Sequence, residues 1–140
     1  MTNSRAKGAR GEREAAAYLR KLGFDASRNG RNGYISDDLI VSGLPNVHIE
    51  VKFGVVGMDI GTRLLYLAWE QAESSVADKS WSECHAAVVL WKPTRKPWRL
   101  TWMDRCGLVT TTGDDAIKTK LLELNSENQR VEPVCEKADG

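Results

Sequence analysis

The residues of this chain best equipped for chemistry lie between positions 38 and 52. Asp38-Leu39-Ile40-Val41 is followed by the turn-forming Ser42-Gly43-Leu44-Pro45-Asn46 and then by Val47-His48-Ile49-Glu50-Val51-Lys52. The last run alternates apolar and polar residues with the period of a strand, so His48, Glu50 and Lys52 share one face. A hairpin that sets Val41 opposite Val47 brings Asp38 opposite Glu50, with Cβ atoms roughly 5 Å apart. Two carboxylates that close repel by roughly 4 kcal/mol at an effective dielectric near 20. Either one of them keeps its proton or a cation sits between them. A hard divalent ion removes the repulsion. Mg²⁺ binds one or two carboxylates, waters and substrate phosphate oxygens, and Mn²⁺ is expected to substitute for it. Such an ion polarises a phosphodiester, helps to generate hydroxide and steadies the leaving oxygen. Lys52 adds a compact positive charge beside the attacking water or the developing phosphorane. The chemistry these positions suit is metal-assisted hydrolysis of a phosphodiester.

Several elements must position this patch. Ala15, Ala16, Tyr18, Leu19 and Leu22 recur near the helical period, which predicts a helix over residues 6–22 with Gly23 as its stop. Glu12 lies at the end of that apolar stripe, where an acid needs a partner. The duplicated Arg-Asn-Gly of residues 28–33 cannot hold a regular element and predicts a basic loop. Strands are expected at 38–41 and 47–53. A second helix from about Arg63 to Val76 carries Leu64, Leu65, Ala68, Ala72 and Val76. The apolar run Ala86–Trp91 predicts a buried strand, and Trp98–Met103 its partner across a Pro-containing turn. A short helix is expected from about Asp114 to Leu124, with acids favouring its start. Residues 1–125 then form one domain and 126–140 a flexible polar tail. The order helix, hairpin, helix, hairpin, helix predicts an α/β fold around a mixed central sheet.

The series helix acid, hairpin Asp, Glu-x-Lys and helix Gln resembles the PD-(D/E)xK nuclease superfamily. Lys7-Gly8-Ala9-Arg10-Gly11-Glu12 resembles the first motif of its archaeal-type and phage Holliday junction resolvase branch. Gly23-Phe24 fits the end of the same helix, and Glu70-Gln71-Ala72 is similar to the Gln-bearing fourth motif. The resemblance spans roughly residues 5–103. It implies a restriction-endonuclease-like mixed sheet flanked by helices and a Mg²⁺-dependent endonuclease cutting DNA, branched DNA such as a four-way junction in particular. It further implies that Asp38 and Glu50 bind the metal, with the Val51 carbonyl as a third ligand. Lys52 would assist the nucleophile, Glu12 would complete the site through a metal-bound water, and Gln71 would position water or DNA. Asp37, which stands where the family pattern has proline, is the alternative to Asp38. A homodimer is also implied, because a two-fold enzyme matches a substrate cut symmetrically in two strands. A restriction- or repair-type endonuclease would use the same residues, and a DNA-binding module with the fold but no catalysis is the rival from outside the enzymes.

Charge is consistent with a polyanionic partner. The net charge is only +1, yet residues 1–35 hold eight Lys/Arg against three Asp/Glu. Arg5, Lys7, Arg10, Arg28 and Arg31 are the phosphate-contacting candidates, with Arg95 and Lys96 of a second cluster that includes Lys92 and Arg99. His48 reads as an ordinary strand histidine, and Trp98, Leu100 and Trp102 as one core-facing row. Cys84, Cys106 and Cys135 have no metal-like spacing, so reduced thiols are expected. No apolar run approaches the roughly 20 residues that span a bilayer. The charged opening segment argues against a secretory signal, so a cytoplasmic location, bacterial or in a phage-infected host, is expected.

Overall fold

The computed structural model describes residues 4–28, 39–54, 56–77 and 86–139, with side chains for 8–27, 39–54, 56–77 and 86–127. Helix α1 spans Ser4–Lys21, strand β1 Ala26–Arg28, β2 Leu39–Val41, β3 Val47–Phe53, helix α2 Arg63–Ala77, β4 Ala86–Lys92, β5 Arg99–Asp104, β6 Gly107–Thr112 and helix α3 Asp114–Asp139. Local chemistry accounts for the helix ends. Arg20 and Lys21 sit in the last turn of α1, where cations complement the helix dipole. Gly23 follows at φ 106°, a backbone angle that only glycine adopts freely. Thr62 caps α2, its hydroxyl accepting the Leu65 N–H at 3.3 Å. Asp114 and Asp115 open α3.

The main sheet has the order β3-β4-β5-β6, with β3 and β4 parallel and the other neighbours antiparallel. It is a mixed sheet flanked by helices on both faces, an α/β arrangement with the mixed central sheet expected from the sequence. Alternation along each strand divides the core in two. Ile49, Val88, Leu90, Trp98, Leu100 and Trp102 pack against Ala15, Ala16 and Leu19 of α1 and Ile117 and Leu121 of α3. Val89 and Trp91 turn the other way and pack against Met58 and against Leu65, Ala68 and Ala72 of α2. A strand buried on both faces cannot alternate in polarity, which is why residues 86–91 read as a continuous apolar run. Tyr18 and Lys21 of α1 both reach Asp114, at 2.9 and 3.6 Å, tying α1 to α3. The Asn46 N–H donates to Asn125 Oδ1 at 2.8 Å and ties α3 to the start of β3.

Three expectations change. The hairpin register fails: Leu39–Val41 pairs antiparallel with Ala26–Arg28, not with Val47–Ile49, and β3 takes β4 as its neighbour. The connection explains this. Leu44 is buried, and its N–H bonds the Val41 carbonyl while its own carbonyl accepts from Val47. Those successive tight turns draw the connection into the core and stop β2 and β3 from lying side by side there. Asp38, and so the expected Asp38–Glu50 pairing, lies outside the described residues. Second, α3 runs on to Asp139 instead of ending near Leu124. The polarity of residues 126–139 is no bar to a helix, since Glu, Gln, Arg and Lys are good helix formers, and Pro133 is the one strong breaker that the helix runs through. Third, β1 and β6 were not expected. β1 has only three residues, and the Thr110-Thr111-Thr112 half of β6 has no apolar alternation to betray it. Among the described residues, no helix is long and apolar enough to cross a membrane.

Candidate active site

Strand β3 carries the site on its α2 side. The same period that sends Val47 and Ile49 into the α1 core leaves His48, Glu50 and Lys52 on the opposite face. Glu50 is only 4% exposed. Its Oε1 lies 3.6 Å from His48 Nε2 and its Oε2 lies 3.8 Å from Lys52 Nζ. Lys52 Nζ in turn donates to Gln71 Oε1 at 2.8 Å. Gln71 reaches it because Leu65, Ala68 and Ala72 seat α2 on the sheet, and the two alanines let the helix approach closely.

This grouping is costly as mere scaffolding. A carboxylate withdrawn from water loses several kcal/mol of solvation unless it is well paired. Neither His48 nor Lys52 comes within the ~2.7–2.9 Å of a charge-assisted hydrogen bond to Glu50. The Glu50 carboxylate therefore has the Lys52 ammonium beside it but is not closed off by it, as suits a hard-oxygen ligand. Lys52 is a flexible side chain, and Gln71 fixes its ammonium beside that carboxylate.

Glu12 is half-buried on α1. The neighbouring Gly11 explains how α1 approaches this end of β3. A Cβ added at Gly11 would lie 2.6 Å from the Cβ of Phe53, the residue after Lys52. Only glycine permits the helix to cross the strand so tightly, and Glu12 is the next residue along α1. Arg10 lies over the Phe53 ring at 5.7 Å and Lys92 of β4 at 5.8 Å, two cation–π contacts at the same end.

Of the residues singled out from sequence, the fold thus brings together Glu50, Lys52 and Gln71, with Arg10 close by in the chain path. Val51 is half-buried and packs toward the α1 core. Arg95 and Lys96 are exposed at the tip of the β4–β5 hairpin, apart from Glu50 in the chain path, with Arg95 at φ 63°. Asp37, Asp38 and Arg31 lie outside the described residues, as do the side chains of Arg5, Lys7 and Arg28. Among the described residues, no three His, Cys, Asp or Glu side chains cluster closely enough to hold a metal. Two residues were undervalued in the sequence. His48 is a buried neighbour of Glu50, and the i, i+2 spacing was its signal. Arg99 is not at the hairpin tip but on the sheet face, its guanidinium 5.1 Å above the Trp91 ring. Cys106 is a free, exposed thiol.

No family model matches the chain, and no curated protein matches it. Among solved structures it is similar to Hjc, a Holliday junction resolvase from the archaeal hyperthermophile Archaeoglobus fulgidus. The two share 20% identity at a TM-score of 0.44, over 83% of this chain and 98% of that chain.

Proposed function

We propose that this chain is a Mg²⁺-dependent DNA endonuclease with Glu50 and Lys52 at its centre. The observation that carries the reading is the buried Glu50 carboxylate beside a Lys52 ammonium that Gln71 holds in place. Hydrolysis of a phosphodiester needs an anionic ligand for a hard cation and a fixed positive charge near the pentacoordinate phosphorus, and this triplet supplies both. The donor set fits Mg²⁺: oxygen ligands on a rigid strand, with room left on the carboxylate. Glu50, the Val51 carbonyl and Asp38 would hold the ion, which when bound polarises the phosphate and lowers the pKa of water. Lys52 orients the water and offsets charge gathering on the phosphate oxygens. Gln71 keeps Lys52 aimed at the site, and Glu12 stands to contact the water layer from α1. Arg10 and the basic front end hold the DNA backbone.

Branched DNA, a four-way junction above all, is the substrate proposed within this class, and a homodimer the form that cuts it. The Lys7–Glu12 motif, which resembles that of the resolvase branch, supports that choice, while the site residues themselves would serve restriction or repair cleavage equally. The test is cleavage of labelled four-way junction, flap, mismatched and linear duplex DNA, with Mg²⁺, with Mn²⁺ and with EDTA. Metal-dependent nicking of the junction that Glu50→Gln abolishes while DNA binding persists is the expected result. Equal cutting of linear duplex would remove the junction assignment, and cutting undiminished in Glu50→Gln would remove the mechanism.

A further inference from the structure

On the hairpin side of the sheet, the chain has built an anion site and filled it with its own carboxylate. Arg99 begins β5 in the row Lys52–Trp91–Arg99 across three strands. Two strand spacings of roughly 4.8 Å place the Lys52 and Arg99 backbones about 10 Å apart. The Arg99 side chain is 15% exposed, and its Nε is buried with no hydrogen-bond partner. Its Nη1 donates to Asp59 Oδ1 at 2.8 Å. The same oxygen accepts the Ile60 N–H at 2.8 Å, and Lys96 adds positive charge nearby. The Ile60 N–H and Arg99 hold the Asp59 carboxyl below the usual aspartate range, so it is an anion throughout the neutral region. Asp59 also lines a cavity of about 480 Å³ whose wall includes Met58, Pro93, Thr94 and Lys96. A guanidinium and a backbone N–H on one oxygen, with an ammonium in the neighbourhood, are what a phosphate would require. The Asp59 side chain is more than half exposed, on a loop with Gly57 and Gly61 at positive φ, so a better anion has a way in.

We propose that Arg99, Lys96 and the Ile60 N–H form a binding site for a backbone phosphate of the DNA flanking the cleaved bond, and that Asp59 is the built-in anion which that phosphate displaces. The site rests on the nuclease reading above. A DNA strand carries one charge per 3.4 Å of axis, so about 10 Å from Lys52 is a few nucleotides away. Arg99 serves better here than lysine, because stacking on Trp91 fixes its planar fork in advance.

The experiment is fluorescence anisotropy of a labelled four-way junction in EDTA across a salt series, with Mg²⁺-dependent cleavage run in parallel. Asp59→Asn should tighten binding about three- to tenfold, because the phosphate no longer has to displace a bound carboxylate, whereas Arg99→Met should flatten the salt slope by about one unit, as one lost phosphate contact requires. Asp104→Asn makes the same charge change at the far end of β5 and should alter affinity less than about twofold, because exposed charges beyond a Debye length are screened. Arg99→Met should weaken binding about three- to tenfold, and in that background Asp59→Asn should gain no more than the Asp104 control. Arg99→Lys, with unfolding curves for every variant, covers the case in which Arg99→Met folds poorly. It should keep the fold and lose part of the affinity. Equal shifts from Asp59→Asn and Asp104→Asn, or native affinity in a folded Arg99→Lys, overturn the phosphate site. If the native chain binds DNA in this pattern but never cuts it, the nuclease reading falls and the phosphate site stands. If the native chain binds no DNA, both fall.

Discussion

The two faces of the sheet have been put to different uses. Toward α1 and α3 the sheet presents Ile49, Val88, Leu90, Leu100 and Trp102, with Trp98 just before β5, most of them almost fully buried, and charge enters only at the strand ends, at Lys92 and Asp104. Toward α2 the apolar patch shrinks to Val89 and Trp91, and His48, Glu50, Lys52, Arg99 and Thr101 share the surface with it. Even the buried polar groups are organised there: Trp91 Nε1 donates to Thr101 Oγ1 at 2.9 Å, and that hydroxyl meets Thr110 at 2.7 Å. One face supplies stability through close packing. The other spends some of it to keep charged groups out of water and fixed in place.

The sharpest way to break this division is at Glu50. Glu50→Gln should cut Mg²⁺-dependent cleavage on the order of 10³-fold, the usual loss when a preorganised charge at the reacting group is removed. Stability in urea should hold or rise, because a buried charge is replaced by a neutral isostere. A marked loss of stability with activity intact would make Glu50 structural. On the other face the pattern reverses. Leu100→Ala should cost about 3 kcal/mol of unfolding free energy through transfer loss and a cavity. Turnover measured well below its lowered Tm should stay near native, and a comparable fall in turnover there would show that the faces are not separable.

Gly11 packs on the α1 face, against Phe53 at the end of β3. Alanine is the better helix former by about 1 kcal/mol, yet its Cβ would collide with that of Phe53, which is backbone-proximal and cannot swing away. Overpacking at such a contact costs about 1–3 kcal/mol, so Gly11→Ala should lower Tm and reduce cleavage together as Glu12 is pushed back. A raised Tm would show the contact to be loose.

The smallest effects come from pH, and they separate the faces. Asp59, on the α2 side, has a carboxyl held below its ordinary 3.8 by the Ile60 N–H and Arg99. Its contribution is present above that value and is lost as pH falls through the lower folded value. Tyr18, on the α1 side, has its hydroxyl pushed above the ordinary 10.0 by burial and by the Asp114 carboxylate that accepts its hydrogen bond. Its contribution is full below pH 10.0 and fades as pH rises toward the higher folded value. In urea unfolding across pH, Asp59→Asn should flatten only the acid limb and Tyr18→Phe only the alkaline limb. A change in the opposite limb would contradict the assignment.

Whatever depends on spacing along one strand or helix was legible in the sequence. Period two put Glu50 and Lys52 on one face. Of the five residues that the 3.6 period named for the α2 stripe, Leu65, Ala68 and Ala72 are its seat, whereas Leu64 is exposed and Val76 half-buried; Trp98, Leu100 and Trp102 did form one buried row. These patterns are local, because side-chain direction follows from backbone geometry a few residues either way. What lies beside a strand is not local. That β2 would turn to β1, that β4 would run parallel beside β3, that Gln71 would reach Lys52, and that Asp59 would cross forty positions to Arg99 were decided by burial of residues such as Leu44 and Trp91. Many pairings satisfy the same local periods, and only packing the whole core selects among them.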